Sequence, residues 1–268
     1  MPEIIFEKRD HVAWVTINRP AKKNTLNAAV FVELAAAWQE VRDDDNVWTA
    51  VLSGSGEEDF CCGGDLKEVM RLWLGQKEPE NAIERAILAD PLIADKVLLK
   101  DQPLYKPVIS AINGRALGGG CELMQATDYR LAAEHATFGL PEPKVGLIPG
   151  GGSTVRLARQ IPWAHAMRIF LGGKPIEADE ALRMGLISEI VPAAQLQVRT
   201  AEVAEAICAQ APLALQAIKR AALETQAMDW QQAFAFERQE STAISASRDA
   251  REGNRAFSEK RKPVFTAN

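Results

Sequence analysis

The segment that most constrains this chain runs from Gly114 to Leu123, Gly-Arg-Ala-Leu-Gly-Gly-Gly-Cys-Glu-Leu. It follows an apolar run, Pro107–Asn113, that reads as a buried strand, and it leads at once into a short helix beginning near Cys121. A strand that runs into Gly118, Gly119 and Gly120 and then a helix must turn sharply, and glycine lets another group approach the backbone closely. The helix start adds free N–H groups and partial positive charge, which suit an anion or an oxygen that becomes anionic during reaction. The same residues also suit a tight turn with no ligand, and both readings stand at this point.

Neighbouring enzyme classes lose their support. The chain contains no GxGxxG and no GxxxxGK[ST]. Ser53-Gly54-Ser55-Gly56 is not a nucleophile elbow, because Leu52 stands where the first glycine belongs. The net charge of −5 disfavours nucleic acid as a partner. No apolar run approaches the ~18 residues of a membrane span, and Met1–Asp10 lacks a signal-peptide core. Cys61, Cys62, Cys121 and Cys208 form no CxxC pair, so reduced thiols and a cytoplasmic location are expected. His11, His135 and His165 show no metal-ligand spacing, and no metal is expected.

The remaining pattern is mixed first and helical last. Ile4–Lys8 and Val12–Asn18 read as a hairpin around Arg9–His11. Asn27 can cap a helix reaching about Arg42, with Val30, Leu34, Trp38 and Val41 on one face. Val47–Leu52 and Asp128–Ala133 read as strands, and Leu186–Val191 as a brief one. Between Leu66 and Gln102 the pattern is helical but broken by Gly75, Pro79 and Pro91. A loop, Gly139–Gly152, precedes a helix from about Ser153, and the last stretch reads as three or four helices. The 268 residues, 47% of them hydrophobic, suffice for a full α/β core with a helical C-terminal part.

Two carboxylates frame the glycine turn. Glu122 lies in the first turn of the short helix, and Glu142 follows Gly139-Leu140-Pro141 with one expected strand between them. A carboxylate pair beside an anion hole suits general acid–base work on a water or a C–H bond, although most of the 36 acidic residues must be solvated surface charges. A second glycine turn, Phe60–Lys67, can supply another backbone N–H, and Cys62 within it is a weak candidate nucleophile with no partner His.

In register these segments resemble the crotonase (enoyl-CoA hydratase/isomerase) superfamily. The likeness runs through Ile17-Asn18-Arg19-Pro20, Asn24-Thr25-Leu26, Phe60–Lys67, Asn113-Gly114 and Gly118–Leu123. It continues through Phe138–Glu142, Gly146–Gly152 and the tail from Arg251 to Arg261. The resemblance implies an α/β spiral of repeated β-β-α units over residues 1–195. A helical subdomain over 196–268 would serve trimerisation and CoA closure, giving a trimer or a dimer of trimers. It implies an acyl-CoA substrate whose thioester oxygen sits between the N–H groups of Cys62 and Gly119, with Glu122 and Glu142 as acid and base. Cys62, Gly63, Gly64, Asp65 and Gly118 would line the acyl-CoA; Lys22, Lys23 and Lys67 would lie near its nucleotide, and Phe257 and Lys260 would reach it across a subunit interface. The implied reaction is addition of water to a 2-enoyl-CoA, with no cofactor beyond the CoA of the substrate. The alternatives are enoyl isomerisation, another crotonase-type reaction such as a specialised dehydration or thioester hydrolysis, and a silent acyl-CoA binder. Leu72, Trp73, Leu74, Ile83, Ile87 and Leu88 are candidates to line an acyl tunnel or to pack a lid.

Overall fold

The structure, a computed structural model, describes residues 2–100 and 102–268. The chain enters as an antiparallel hairpin, β1 (Ile4–Arg9) and β2 (Val12–Ile17), paired Ile4 to Ile17 through Arg9 to Val12. Helix α1 (Ala28–Asp43) follows; the Asn27 side chain accepts from Val30 N–H, and Val30, Leu34, Trp38 and Val41 are buried as the spacing predicts.

From there the backbone winds in a spiral. Strand β3 (Thr49–Gly54) leads through a corner to β4 (Asp59–Cys61), then to short helices α2 (Val69–Trp73), α3 (Ala82–Ala89) and α4 (Ile93–Val97). Strand β5 (Val108–Ile112) leads to β6 (Arg115–Leu117) and helix α5 (Gly119–Gln125). Strand β7 (Tyr129–Ala133) leads to β8 (Thr137–Gly139), a 3-10 turn at Glu142–Val145, α6 (Ser153–Gln160) and α7 (Trp163–Gly172). Each pass gives one strand to each of two sheets. In the larger sheet the order is β1-β2-β3-β5-β7 and then β10 (Glu189–Val191), parallel from β2 onward. In the smaller sheet β4, β6 and β8 run parallel, and β9 (Ile176–Glu177) closes it antiparallel to β8, ahead of α8 (Ala178–Met184). This is the repeated β-β-α spiral that the resemblance implied.

The larger sheet is buried on both faces, and its residues alternate. Ala50, Leu52, Val108, Ile112 and Ala132 face the main core, while Val51, Ile109, Ala111, Leu131 and Ala133 face the other side. That other side is covered by α9 (Leu196–Cys208) through Leu196, Val203 and Ala204. The expected division at residue 195 thus falls just ahead of a helix, α9, that packs on the sheet, and a run of helices follows Cys208. It consists of α10 (Pro212–Glu224), α11 (Trp230–Ser245) and α12 (Arg248–Ser258).

Two buried asparagines hold the corner between β3 and β4. Asn24 donates to Ser55 O and Asp59 O at 2.9 and 2.7 Å and accepts from Arg19 N–H. Asn113 donates to Gly56 O and Asp59 O at 2.9 and 3.1 Å and accepts from Gly54 N–H. Gly114 lets the next pass lie against this corner; a Cβ there would sit 2.0 Å from Glu58 O. The corner in turn fixes the turn after β4, from which the candidate site is built.

Candidate functional site

The turn Cys61–Asp65 meets the start of α5. Gly63 has φ +84°, and a Cβ there would stand 3.0 Å from Gly119 N, over the very N–H that the helix start leaves free. Leu26 ties the turn down: its N–H donates to Gly63 O and its carbonyl accepts from Asp65 N–H. Gly118 has φ +53° and lies against Glu142, whose Oε1 would be 3.0 Å from a Cβ on it. Gly120 packs the helix on β4, where a Cβ would meet Cys61 O at 2.0 Å. Two glycine turns and Glu142 thus converge.

One expected donor does not point there. The Cys62 N–H donates to Lys23 O at 3.1 Å. Lys23 adopts a left-handed backbone, φ 55°, which turns its carbonyl toward the glycine segment. The N–H of Gly64, by contrast, makes no hydrogen bond among the described residues, and its nitrogen lies 3.7 Å from a Cβ built on Gly119. The free donors that adjoin are therefore those of Gly64 and Gly119. Cys62 is also no nucleophile: burial and the carboxylate of Asp59, to which its Sγ is bonded at 3.1 Å, push its thiol up to about 12.

Glu122 lies on α5 and is buried. Its Oε1 accepts from Ser153 N–H at 3.1 Å, and Ser153 Oγ in turn accepts from Gln125 Nε2 at 2.9 Å. Gly151 presses on the other oxygen, since a Cβ there would be 2.4 Å from Oε2 and 2.7 Å from Leu98 Cδ1. Burial raises this carboxyl above the usual range, opposed by the N–H groups of Ser153 and Gly151 and by the charge of Lys100. Glu142 begins the 3-10 turn after β8, so two strands, β7 and β8, separate the glutamates rather than one. Burial and the negative charge of Glu122 push Glu142 up to about 7. Its Oε2 is buried with no hydrogen-bond partner among the described residues. A buried oxygen left without a partner costs roughly 1–3 kcal/mol, so this one suits a proton or a polar ligand.

The other expected contacts are dispersed. Asp65 is occupied structurally: it accepts from Lys67 and Glu68 N–H and from Thr25 Oγ1, and lies 3.5 Å from Arg19. Lys22, Lys23 and Lys67 are exposed around the turn. Phe257, 86% exposed, lies in the last turn of α12 and Lys260 just beyond it, the ammonium of Lys260 without a hydrogen bond among the described residues. Of the six apolar candidates between Leu66 and Gln102, Leu72 and Ile87 pack the core, while Trp73, Leu74, Ile83 and Leu88 are partly exposed. The residues around Glu122 were the ones sequence reasoning missed: Gly151, Ser153, Leu98 and Arg156. The glycine run Gly150–Gly152 was their one visible signal. Among the described residues no group of three His, Cys, Asp or Glu can hold a metal, and no helix is long and apolar enough to cross a membrane.

Comparison with known proteins gives the same reading. The family model described as enoyl-CoA hydratase/isomerase matches residues 7–268. The chain is 42% identical over 264 residues to enoyl-CoA hydratase EchA19 of Mycobacterium tuberculosis, spanning 98% of this chain and 96% of that protein. It is 36% identical over 262 residues to crotonyl-CoA hydratase of Syntrophomonas wolfei, spanning 98% and 97%. A crystal structure of enoyl-CoA hydratase from Mycobacterium tuberculosis superposes with a TM-score of 0.89 at 36% identity, covering all of both chains. With the model match spanning nearly its full length and the fold shared throughout, this chain belongs to the enoyl-CoA hydratase/isomerase family.

Proposed function

We propose that the protein adds water across the C2–C3 double bond of a 2-enoyl-CoA thioester. The observation that carries this reading is a buried glutamate, Glu122, and a half-buried one, Glu142, beside two free backbone N–H groups. Isomerisation needs one carboxylate to shuttle a proton, whereas hydration uses two: one to activate water and one to protonate C2.

The roles follow from the surroundings. The thioester oxygen is received by Gly64 N–H and Gly119 N–H, which stabilise the enolate formed when C2 gains charge; a donor of this type is worth about 2.7–4 kcal/mol of barrier. Glu122 accepts N–H donation from Ser153 and feels Lys100, both of which favour its ionised form, so it takes the proton from water as the oxygen bonds to C3. Glu142, close to half protonated near pH 7, delivers a proton to C2. The steps balance with substrate and water alone, so the reaction requires no further cofactor. The exposed ammonium groups of Lys22, Lys23 and Lys67 suit the phosphates of the CoA.

We further assign α10–α12 to self-association. Ile218, Trp230 and Phe257 are 66%, 80% and 86% exposed, a density of large apolar side chains that suits burial in a trimer or a dimer of trimers. The mass in solution by light scattering tests this; a stable monomer removes it and, with it, the cross-subunit role of Phe257 and Lys260. The reaction is tested by the loss of enoyl-thioester absorbance with crotonyl-CoA. Wild type consumes the signal, and Glu122→Gln and Glu142→Gln each lose at least about a hundredfold in kcat. Unchanged turnover in either variant contradicts the two-carboxylate reading.

A further inference from the structure

Glu122 is framed by two segments remote in sequence. On one side runs the Gly150–Ser153 turn, on the other the stretch Leu98–Lys100 that follows α4. Leu98 Cδ1 and Glu122 Oε2 meet at the same face of Gly151, 2.7 and 2.4 Å from the position of a Cβ there. The stretch is held in an unfavourable form: Leu99 has φ +51°, a left-handed conformation that a leucine adopts only when its surroundings hold it.

Arg156 is the group that holds it. Its Nη1 donates to Leu98 O at 2.8 Å and its Nη2 to Leu99 O at 2.7 Å, a fork closing on two successive carbonyls. Lys100 adds a second tie, donating to Gly150 O at 3.1 Å and to Asp95 at 2.7 Å. The guanidinium lies against the glycine turn as well; a Cβ on Gly152 would be 2.9 Å from Arg156 Nη1. The positive charge of Lys100 after α4 acts on Glu122, and the charge of Glu122 is felt in turn by Arg156 on α6 and by Glu142 on the 3-10 turn. The Cys121 thiol on α5, pushed up to about 12, is neutral.

We propose that Arg156 is a positioning residue for the reaction: it clamps Leu98 and Leu99 beside Glu122 and supplies positive charge that favours the ionised carboxylate. It touches neither substrate nor reacting atoms. The inference rests on Glu122 acting as a base in the hydration proposed above.

The test compares wild type, Arg156→Lys and Arg156→Gln in two readouts. The first is the pH dependence of kcat and KM with crotonyl-CoA. The second needs no turnover: the carboxyl-carbon titration of Glu122 in glutamate-labelled protein, assigned by its loss in Glu122→Gln. Arg156→Gln is expected to lower kcat at least about tenfold with KM within about twofold. Its Glu122 midpoint and the acidic limb of kcat are expected to move up together by about one pH unit. Arg156→Lys keeps the charge but cannot fork onto both carbonyls, so it keeps the midpoint and loses kcat several-fold. An unmoved Glu122 midpoint in Arg156→Gln overturns the proposal, as does a loss confined to KM or to thermal stability. If Arg156→Gln does not fold, wild-type kcat in Arg156→Lys overturns it. Absence of hydration in wild type refutes the hydratase reading instead, and the titration still decides whether Arg156 acts on Glu122.

Discussion

Gly151→Ala tests the placement of Glu122 with a single methyl group. The backbone of Gly151 lies outside the left-handed region, so alanine suits its conformation. The new Cβ would stand 2.4 Å from Glu122 Oε2 and 2.7 Å from Leu98 Cδ1, about 1 Å short of ordinary contact with the carboxylate. The nearest backbone poses no obstacle, so the side chains move and the fold survives. Glu122 is held on its other oxygen by Ser153 N–H, so it can move only by stretching that bond or turning away from the site. A reacting group displaced by about 1 Å costs on the order of a hundredfold in rate, or about 2.7 kcal/mol of barrier. The expected result is kcat for crotonyl-CoA down about a hundredfold with KM within about threefold. The melting temperature should fall by no more than about 4 °C, the equivalent of about 1–2 kcal/mol in a chain of this size. Gly150→Ala is the control, because a Cβ there meets nothing nearer than Ile148 O at 3.9 Å, and it should behave as wild type. Turnover within threefold of wild type in Gly151→Ala would refute the assignment of Glu122 to the reacting centre.

Three further outcomes follow. Gly114→Ala places a Cβ 2.0 Å from Glu58 O, a backbone atom that cannot swing away, and calorimetry should show a loss of more than about 3 kcal/mol or no folded protein. Glu142, raised from 4.5 to about 7, binds more protons folded than unfolded in that window. Its contribution to stability therefore falls as pH rises from about 4.5 to 7, by at most about 3 kcal/mol, and denaturant titrations of Glu142→Gln should lack this slope. Cys62→Ala should keep kcat within about twofold, since the Cys62 N–H is spent on Lys23 O and its thiol is un-ionised; a large loss would restore Cys62 to the site.

The parts legible in the sequence were those governed by local rules. The Asn27 cap and the three- and four-residue spacing of Val30, Leu34, Trp38 and Val41 specify α1 before any tertiary contact is known. The smaller sheet is invisible by the same logic, because β4, β6 and β8 have three residues each, too few to show an alternation. Helix α5 starts at Gly119 rather than near Cys121 because its glycines are needed for the close approach to Cys61 O and to Gly63, against their own helix propensity. The glutamates and glycine turns were legible through their motifs. The choice of proposed oxyanion donor was not, since the direction of the Cys62 N–H depends on Lys23, 39 residues earlier in number, adopting a left-handed turn. The same holds for the boundary at residue 195: a change from strands to helices resembles a change of domain, yet Leu196, Val203 and Ala204 pack on the sheet. Arg156 carries no signal of its own in the sequence, because its role lies in two carbonyls 57 and 58 residues away.

The central claim is that this site adds water with two glutamates. Incubation with crotonyl-CoA in water labelled with heavy oxygen, followed by mass analysis of the thioester, tests it directly. The account predicts a product heavier by one labelled water, its oxygen on C3, with formation lost in Glu122→Gln and in Glu142→Gln. A product of unchanged mass with a displaced double bond, or labelled hydroxyacyl-CoA formed equally well by either variant, would contradict it.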